Sequence, residues 1–282
     1  MPKKALLIGI NYKNSSSELN GCINDVRNVR NFLTQYCGYN PSNIRMLTEE
    51  DSIKPTRANI ESNINWLVSG NTKGDTLFFH YSGHGSTVRD TSGDETDGRD
   101  EVIIPLDYQT KGVITDDWMF ANMATKVPQG ATLWCLTDCC HSGTMIDLKY
   151  NSQSLCEYTK GTNFKGIPYN TNDWTNKFTL SLEKSKDIQG TVCVFSGCQD
   201  PQTSADATIQ RQAQGAFTFC LLESLKNNLQ KQPNGSFKYN YGKIKLRSLL
   251  KEVNCRLDIH GFEQNSQLSV GLLADFEKTF DP

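Results

Sequence analysis

Leu77-Phe78-Phe79-His80-Tyr81-Ser82-Gly83-His84-Gly85 and Ala131-Thr132-Leu133-Trp134-Cys135-Leu136-Thr137-Asp138-Cys139-Cys140-His141-Ser142-Gly143 decide how this chain folds. Each is a run of continuously apolar residues that closes in a short polar string flanked by glycine. Continuous rather than alternating hydrophobicity predicts parallel strands covered on both faces by helices. An imidazole and a thiol therefore stand at the ends of two buried strands, where open α/β sheets gather reacting groups.

Working outward, strand-like and helix-like segments alternate. Residues 4–10 read as a first strand, and residues 24–36 carry Val26, Val29, Phe32 and Leu33 at helical spacing, with Gly38 as a stop. Residues 44–47 read as a short strand and 56–68 as a second helix, with Ile60, Ile64, Leu67 and Val68 on one face. Between the two decisive strings, 102–106 suggest a short strand and 116–125 a helix. Residues 147–189 are polar with few periodic apolar positions, which predicts a linker or excursion. Order returns with a strand at 192–195, helices at 216–225 and 244–257, and a last strand at 267–273. The sum is a doubly wound, mostly parallel α/β sheet of about six or more strands flanked by helices, in one domain over 1–282. Its parts are residues 1–146 with both strings, the polar 147–189, and residues 190–282.

Composition narrows the function. A chain of 282 residues with 37% hydrophobic content suits one large domain with a substantial core. With 29 basic against 31 acidic residues, the net charge of −2 points to neither nucleic acid nor an anionic membrane as partner. The apolar run after Met1-Pro2-Lys3-Lys4 is short and interrupted by Asn11, so it reads as a strand and not as a signal peptide. The ten cysteines show no regular disulfide framework, which predicts a reduced, cytoplasmic protein.

A thiol of ordinary pKa is little ionised at neutral pH, so a nucleophilic cysteine needs a neighbouring base or cation. His84 is suited to that task, and the two strings together predict a cysteine peptidase. If residues 138–140 stay extended, Asp138 and Cys140 face one way and Cys139 the other, and Ser82 shares a face with His84. A polar, negative pocket beside the reacting pair follows. Zinc is disfavoured because Cys139, Cys140 and His141 are adjacent rather than spaced as ligand pairs. Asp94, Glu95, Asp97, Asp100 and Glu101, with Asp116 and Asp117, read either as solvated loops or as an all-oxygen calcium site that does not match an EF-hand.

At these residues the chain resembles the metacaspases, caspase-fold cysteine peptidases of protists, fungi, plants and bacteria. The resemblance runs from residue 4 to about 225 and includes Gly21-Cys22-Ile23-Asn24-Asp25, Ile104-Pro105-Leu106-Asp107 and Ser196-Gly197-Cys198. It implies His84 as general base, Cys140 as nucleophile, and the amides of Cys140 and Gly85 as oxyanion donors. It also implies a pocket of Cys22, Asp25, Ser82 and Asp138 for arginine or lysine before the scissile bond of a peptide or protein substrate. The implied activator is Ca2+, with Asp100, Asp116, Asp117 and Asp147 as ligands, and self-cleavage is expected at Lys149, Lys160 or Lys165. A monomer is expected. No proline- and glutamine-rich leader precedes the first strand, so a catalytic domain without a prodomain is expected. Two rivals stand beside this reading: a catalytically silent caspase-fold binding protein, and a small-molecule hydrolase or nucleotide-binding protein. The second lacks a glycine-rich phosphate loop after the first strand, where Gly9-Ile10-Asn11-Tyr12 stands instead.

Overall fold

The apolar run near the N-terminus forms β1 (Lys3–Gly9), and the predicted amphipathic segment after it forms α1 (Cys22–Tyr36), two residues longer at its start than the apolar spacing implies. The structure, a computed structural model, describes residues 2–90, 98–139, 146, 148, 150–153, 177–180, 188–197, 206–209, 212–262 and 264–282. Then come β2 (Ile44–Thr48), α2 (Arg57–Val68) and β3 (Thr76–Ser82), which closes on the first decisive string. A small antiparallel sheet follows, made by β4 (Gly85–Arg89), β5 (Arg99–Ile103) and, after the short α3 (Tyr108–Lys111), β6 (Ile114–Thr115). Helix α4 (Asp116–Asn122) leads to β7 (Thr132–Asp138), the second decisive strand.

Beyond it lie β8 (Tyr150–Gln153), β9 (Lys177–Leu180) and β10 (Thr191–Ser196), then the hairpin β11 (Asp206–Ile209) and β12 (Gln212–Gly215). Helix α5 (Ala216–Lys226), the hairpin β13 (Leu229–Lys231) and β14 (Phe237–Tyr239), α6 (Leu246–Ile259) and β15 (Gln267–Val270) complete the order. Among the described residues the main sheet has eight strands in the order β2-β1-β3-β7-β10-β15-β8-β9. The first five are mutually parallel, and β15, β8 and β9 add antiparallel pairs.

Side-chain alternation divides the core as the continuous apolar runs require. Ala5, Leu7, Phe78, Trp134 and Leu136 pack with Val26, Val29 and Phe32 of α1 and with the buried faces of α5 and α6. Leu6, Ile8, Leu77, Phe79, Tyr81, Leu133 and Cys135 pack with Ile60, Ile64 and Leu67 of α2 and Met119 and Phe120 of α4. Each fully buried side chain of this size contributes roughly 1.5–3 kcal/mol relative to exposure.

One stretch differs from the sequence expectation. Within the polar 147–189, read above as a linker or excursion, β8 pairs with β15 and β9 with β8. Tyr150-Asn151-Ser152-Gln153 carries no apolar period, and its place in the sheet comes from backbone ladders to β15 and β9, which polar residues can form as well as apolar ones. Lys149, Lys160 and Lys165 lie outside the described residues.

Candidate active site

The register of the two decisive strands sets Ser82 opposite Asp138, and that of β1 with β3 sets Gly9 beside Ser82. A Cβ on Gly9 would lie 2.6 Å from the Cys22 carbonyl oxygen and 2.8 Å from Val26, so its bare backbone lets the N-terminal turn of α1 press against the strand tips. That turn carries Cys22 and Asp25, with Asp25 completely buried. Ser82 Oγ donates to Asp25 Oδ2 at 2.8 Å. The backbone N–H of Gly215 donates to both Asp25 oxygens, at 2.9 and 3.0 Å.

Asp138 reaches the same place from β7, accepting from the Thr218 backbone N–H at 2.9 Å and from Thr218 Oγ1 at 2.8 Å. Both carboxylates thus converge at the N-terminus of α5, whose unpaired N–H groups and dipole favour negative charge. An added Cβ at Gly215 would stand 2.2 Å from Asp138 Oδ2 and 2.8 Å from Asp25 Oδ2. Cys22, Asp25, Ser82 and Asp138, expected to share a pocket, are all nine-tenths or more buried. Gly215 and Thr218 complete the wall; nothing in their sequence spacing identifies them, because β12 and α5 reach the pocket only through the fold.

His84 follows β3 by way of Gly83, where a Cβ would collide with the Tyr81 hydroxyl at 2.7 Å and approach that of Tyr12 at 3.1 Å. The imidazole is half-buried and tilts against the Tyr12 ring, with centroids 4.7 Å apart. Its Nε2 lies 2.7 Å from the Ser17 carbonyl oxygen. A carbonyl only accepts, so Nε2 carries the proton and Nδ1 is the basic nitrogen of the neutral ring. The backbone is held as well: the His84 N–H donates to Tyr12 Oη at 3.1 Å, and Tyr81 Oη donates to the His84 carbonyl at 2.7 Å.

Tyr12 has φ of +51°, a conformation that a bulky residue occupies only under constraint. The constraint is Glu49, just past β2, whose carboxylate accepts from the consecutive N–H groups of Asn11, Tyr12 and Lys13 at 2.6, 3.1 and 2.8 Å. Asn11 Oδ1 in turn accepts from the Ile23 N–H at 3.2 Å and caps α1, which has no cap from its own Gly21. One loop therefore fixes both the imidazole and the helix that carries Asp25. Tyr12, Ser17 and Glu49 were not legible as site residues; the break in apolar character at Asn11 was their one signal.

Of the adjacent thiols, Cys139 is described. It is 1% exposed and packs with Tyr81 and Cys135 in the core on the α2 and α4 side, opposite the face that carries Asp138. Cys140 and Asp147 lie outside the described residues. Gly85, the other expected oxyanion donor, is the first residue of β4.

The expected calcium ligands fall around β5 and α4. Asp100 and Asp116 are buried, and Asp117 is half-buried. Asp116 accepts from the N–H of Glu101 at 2.9 Å and of Asp117 at 2.7 Å. Burial, and then the hydrogen-bonded carboxyl of Glu101, push its pKa up to about 9. Among the described residues no three acidic, histidine or cysteine side chains form a group that holds a metal. The Asp116–Glu101 pair is nonetheless all-oxygen and buried, a donor chemistry that suits a hard dication.

A family model described as "Metacaspase, peptidase C14 domain" matches residues 3–149. Metacaspase-1 of Candida glabrata is 37% identical over 99% of this chain and 75% of that relative. The chain belongs to the metacaspases. Metacaspase-1 of Mycosarcoma maydis is 43% identical over 78% of this chain, and that of Arabidopsis thaliana 38% over 83%. This chain spans 61% and 62% of those two relatives' lengths. Among solved structures, a Geobacter sulfurreducens protein aligns with a TM-score of 0.65 at 24% identity, covering 100% of this chain and 98% of that one. Caspase-1 of Spodoptera frugiperda aligns with a TM-score of 0.53 at 13% identity, covering 95% and 85%. The alignment with the caspase shows a caspase-like fold, and membership of a peptidase family supports a cysteine-type peptidase acting on peptides or proteins. Among the described residues no helix is long and apolar enough to cross a membrane.

Proposed function

We propose that this metacaspase is a calcium-activated cysteine endopeptidase that cuts after arginine or lysine, with Cys140 as nucleophile and His84 as general base. The convergence of two buried carboxylates, Asp25 and Asp138, beside Ser82, which stands two residues before His84 along the chain, carries the reading. A guanidinium or ammonium entering between them exchanges its water for charge-assisted bonds, each worth about 1.5–3 kcal/mol, whereas an acidic side chain is repelled.

His84 Nδ1 takes the Cys140 proton, and the thiolate sulfur adds to the carbonyl carbon while the oxyanion forms against the N–H groups of Gly85 and Cys140. The C–N bond then breaks as the imidazolium returns its proton to the leaving nitrogen, giving a thioester and a free amine. His84 next deprotonates water, which attacks the thioester; the C–S bond breaks and the sulfur recovers the proton. Ser17 steadies the ring throughout by accepting from Nε2. The buried position of Cys139 supports Cys140 as the reacting thiol.

Asp100, Asp116, Asp117 and Asp147 would hold calcium, which supplies positive charge that offsets the buried acids flanking β5. Self-cleavage is proposed at Lys149, Lys160 or Lys165. A monomer is proposed because β15 lies between β10 and β8, so its backbone edges are covered from within the chain. Seven described cysteines stand outside any disulfide, which supports a reducing, cytoplasmic setting. We read the chain as one peptidase domain, with large-subunit-like and small-subunit-like parts on either side of the polar stretch.

The test is hydrolysis of peptides ending in Arg, Lys or Asp before a fluorogenic amide, with and without calcium, beside Cys140→Ala. Calcium-stimulated cleavage of the basic peptides alone, lost in the variant, is expected. No cleavage by folded protein in either condition would favour a silent binding protein, and cleavage after Asp would overturn the pocket reading.

A further inference from the structure

Beside His84 lies a cavity of about 480 Å³, whose lining combines the rings and aliphatic chains of Tyr12, Ile104, Leu106 and Tyr108 with the polar Lys13, Ser15, Ser17, Ser86 and Gln109. None of Asp25, Ser82, Asp138 and Gly215 borders it. The chain itself links the two hollows: Ser82 belongs to one, and two residues on, His84 belongs to the other. We propose that this cavity receives the side chain of the first substrate residue beyond the scissile bond, and that it selects a large apolar or aromatic one. The inference rests on the peptidase reading above.

Two constraints lead to it. A general acid must stand within hydrogen-bond reach of the atom it protonates, so the leaving nitrogen departs on the side of the imidazole. With the basic residue committed to the acidic pocket before the cut, the residue after the cut is directed to the His84 side. The lining then decides the chemistry. Tyr12, Ile104, Leu106 and Tyr108 offer ring and aliphatic surface, and Tyr108 is 38% exposed, open to an incoming side chain.

Lys13, the one lysine or arginine among the described lining residues, already pairs with Glu50 at 2.5 Å, so an acidic side chain would have to compete for it. The wall is also preset. Tyr12 Oη donates to the Ile104 carbonyl at 2.6 Å and accepts from the His84 N–H, which locks the Tyr12 ring between the base and the far wall. A preformed hollow discriminates without a cost of ordering.

The experiment uses internally quenched peptides identical but for Phe, Gly or Glu after a fixed Arg, measured on the full chain with calcium, together with labelling of the thiol by an Arg chloromethyl ketone, which carries no residue beyond the bond. Phe is expected to exceed Gly in kcat/KM by about tenfold, and Glu to fall below Gly. Tyr108→Ala should reduce the Phe-to-Gly ratio to about threefold, and Ser86→Trp, which fills the cavity from an exposed position, should abolish it. Labelling with a flat or Glu-preferring profile overturns this inference alone. Equal loss on all three peptides in Tyr108→Ala overturns it as well, because that pattern marks general damage. Absence of both labelling and cleavage removes the peptidase reading and this inference with it.

Discussion

Gly215→Ala is the most direct probe of the acidic pocket. Gly215 has φ −69° and ψ 135°, an ordinary extended backbone, so alanine introduces no conformational strain and its effect comes from contact alone. The new methyl carbon would stand 2.2 Å from Asp138 Oδ2 and 2.8 Å from Asp25 Oδ2, the first more than an ångström inside van der Waals contact. Asp138 must swing away from Thr218, which holds it by two hydrogen bonds, and Asp25 must shift against Ser82. If one of the two carboxylates leaves the reach of the substrate cation, about 1.5–3 kcal/mol of binding is lost, equivalent to a fall of roughly 10- to 150-fold in kcat/KM. The assay compares hydrolysis of an Arg-ended peptide with the rate at which iodoacetamide, small and uncharged, alkylates Cys140. Peptide hydrolysis should drop by that factor, chiefly through KM, while alkylation stays within about threefold. Hydrolysis within twofold of the unaltered protein would refute the placement of the pocket. A parallel loss of alkylation would show that the substitution acts on the nucleophile instead.

Three further outcomes are expected. Cys140→Ala should abolish turnover, whereas Cys139→Ala should retain most of it and lower stability by about 1 kcal/mol through the small cavity left in the core, as read by urea denaturation; equal loss of activity in both variants would mean that the wrong thiol was chosen. Glu49→Gln removes the charge that gathers three consecutive N–H groups, and should lower kcat with a smaller change in KM because His84 is positioned through Tyr12; an unchanged kcat would count against that chain of support. His80 is fully buried and its pKa is depressed by burial to about 4, whereas the unfolded chain takes up this proton near the ordinary histidine value. The unfolded state therefore binds more protons through that window, so stability is present above it and falls as the pH is lowered, by about 2 kcal/mol from pH 7 to pH 5. His80→Leu should remove that part of the acid loss, and an unaltered pH slope in denaturant titrations would contradict the assignment.

How much of this was legible beforehand follows from where the information lies. Continuous apolar runs at 77–81 and 131–137 announced the central parallel strands, and the structure extends the first by one residue at each end and shifts the second by one, to 132–138, because ladder hydrogen bonds do not follow the apolar pattern residue by residue. Asp25, Ser82 and Asp138 were named from motifs and do meet. The bonds that hold them come from Gly215 and Thr218, remote in sequence, whose spacing carried no mark. The strands β8 and β9 were missed because the backbone ladders that hold them leave no mark in the apolar period.

The chain's local chemistry by itself determined the fold class, the two strand-tip strings and the residue types that make the pocket acidic. Such properties reside in hydrophobic period and residue type, which neighbouring positions encode. The tautomer of His84, the constrained loop that grips it, the convergence of two carboxylates on α5 and the hollow beside the imidazole were decided by tertiary structure. Each depends on groups brought together by closing long loops, and the interactions that reward such closure exist only once the sheet and its helices have packed.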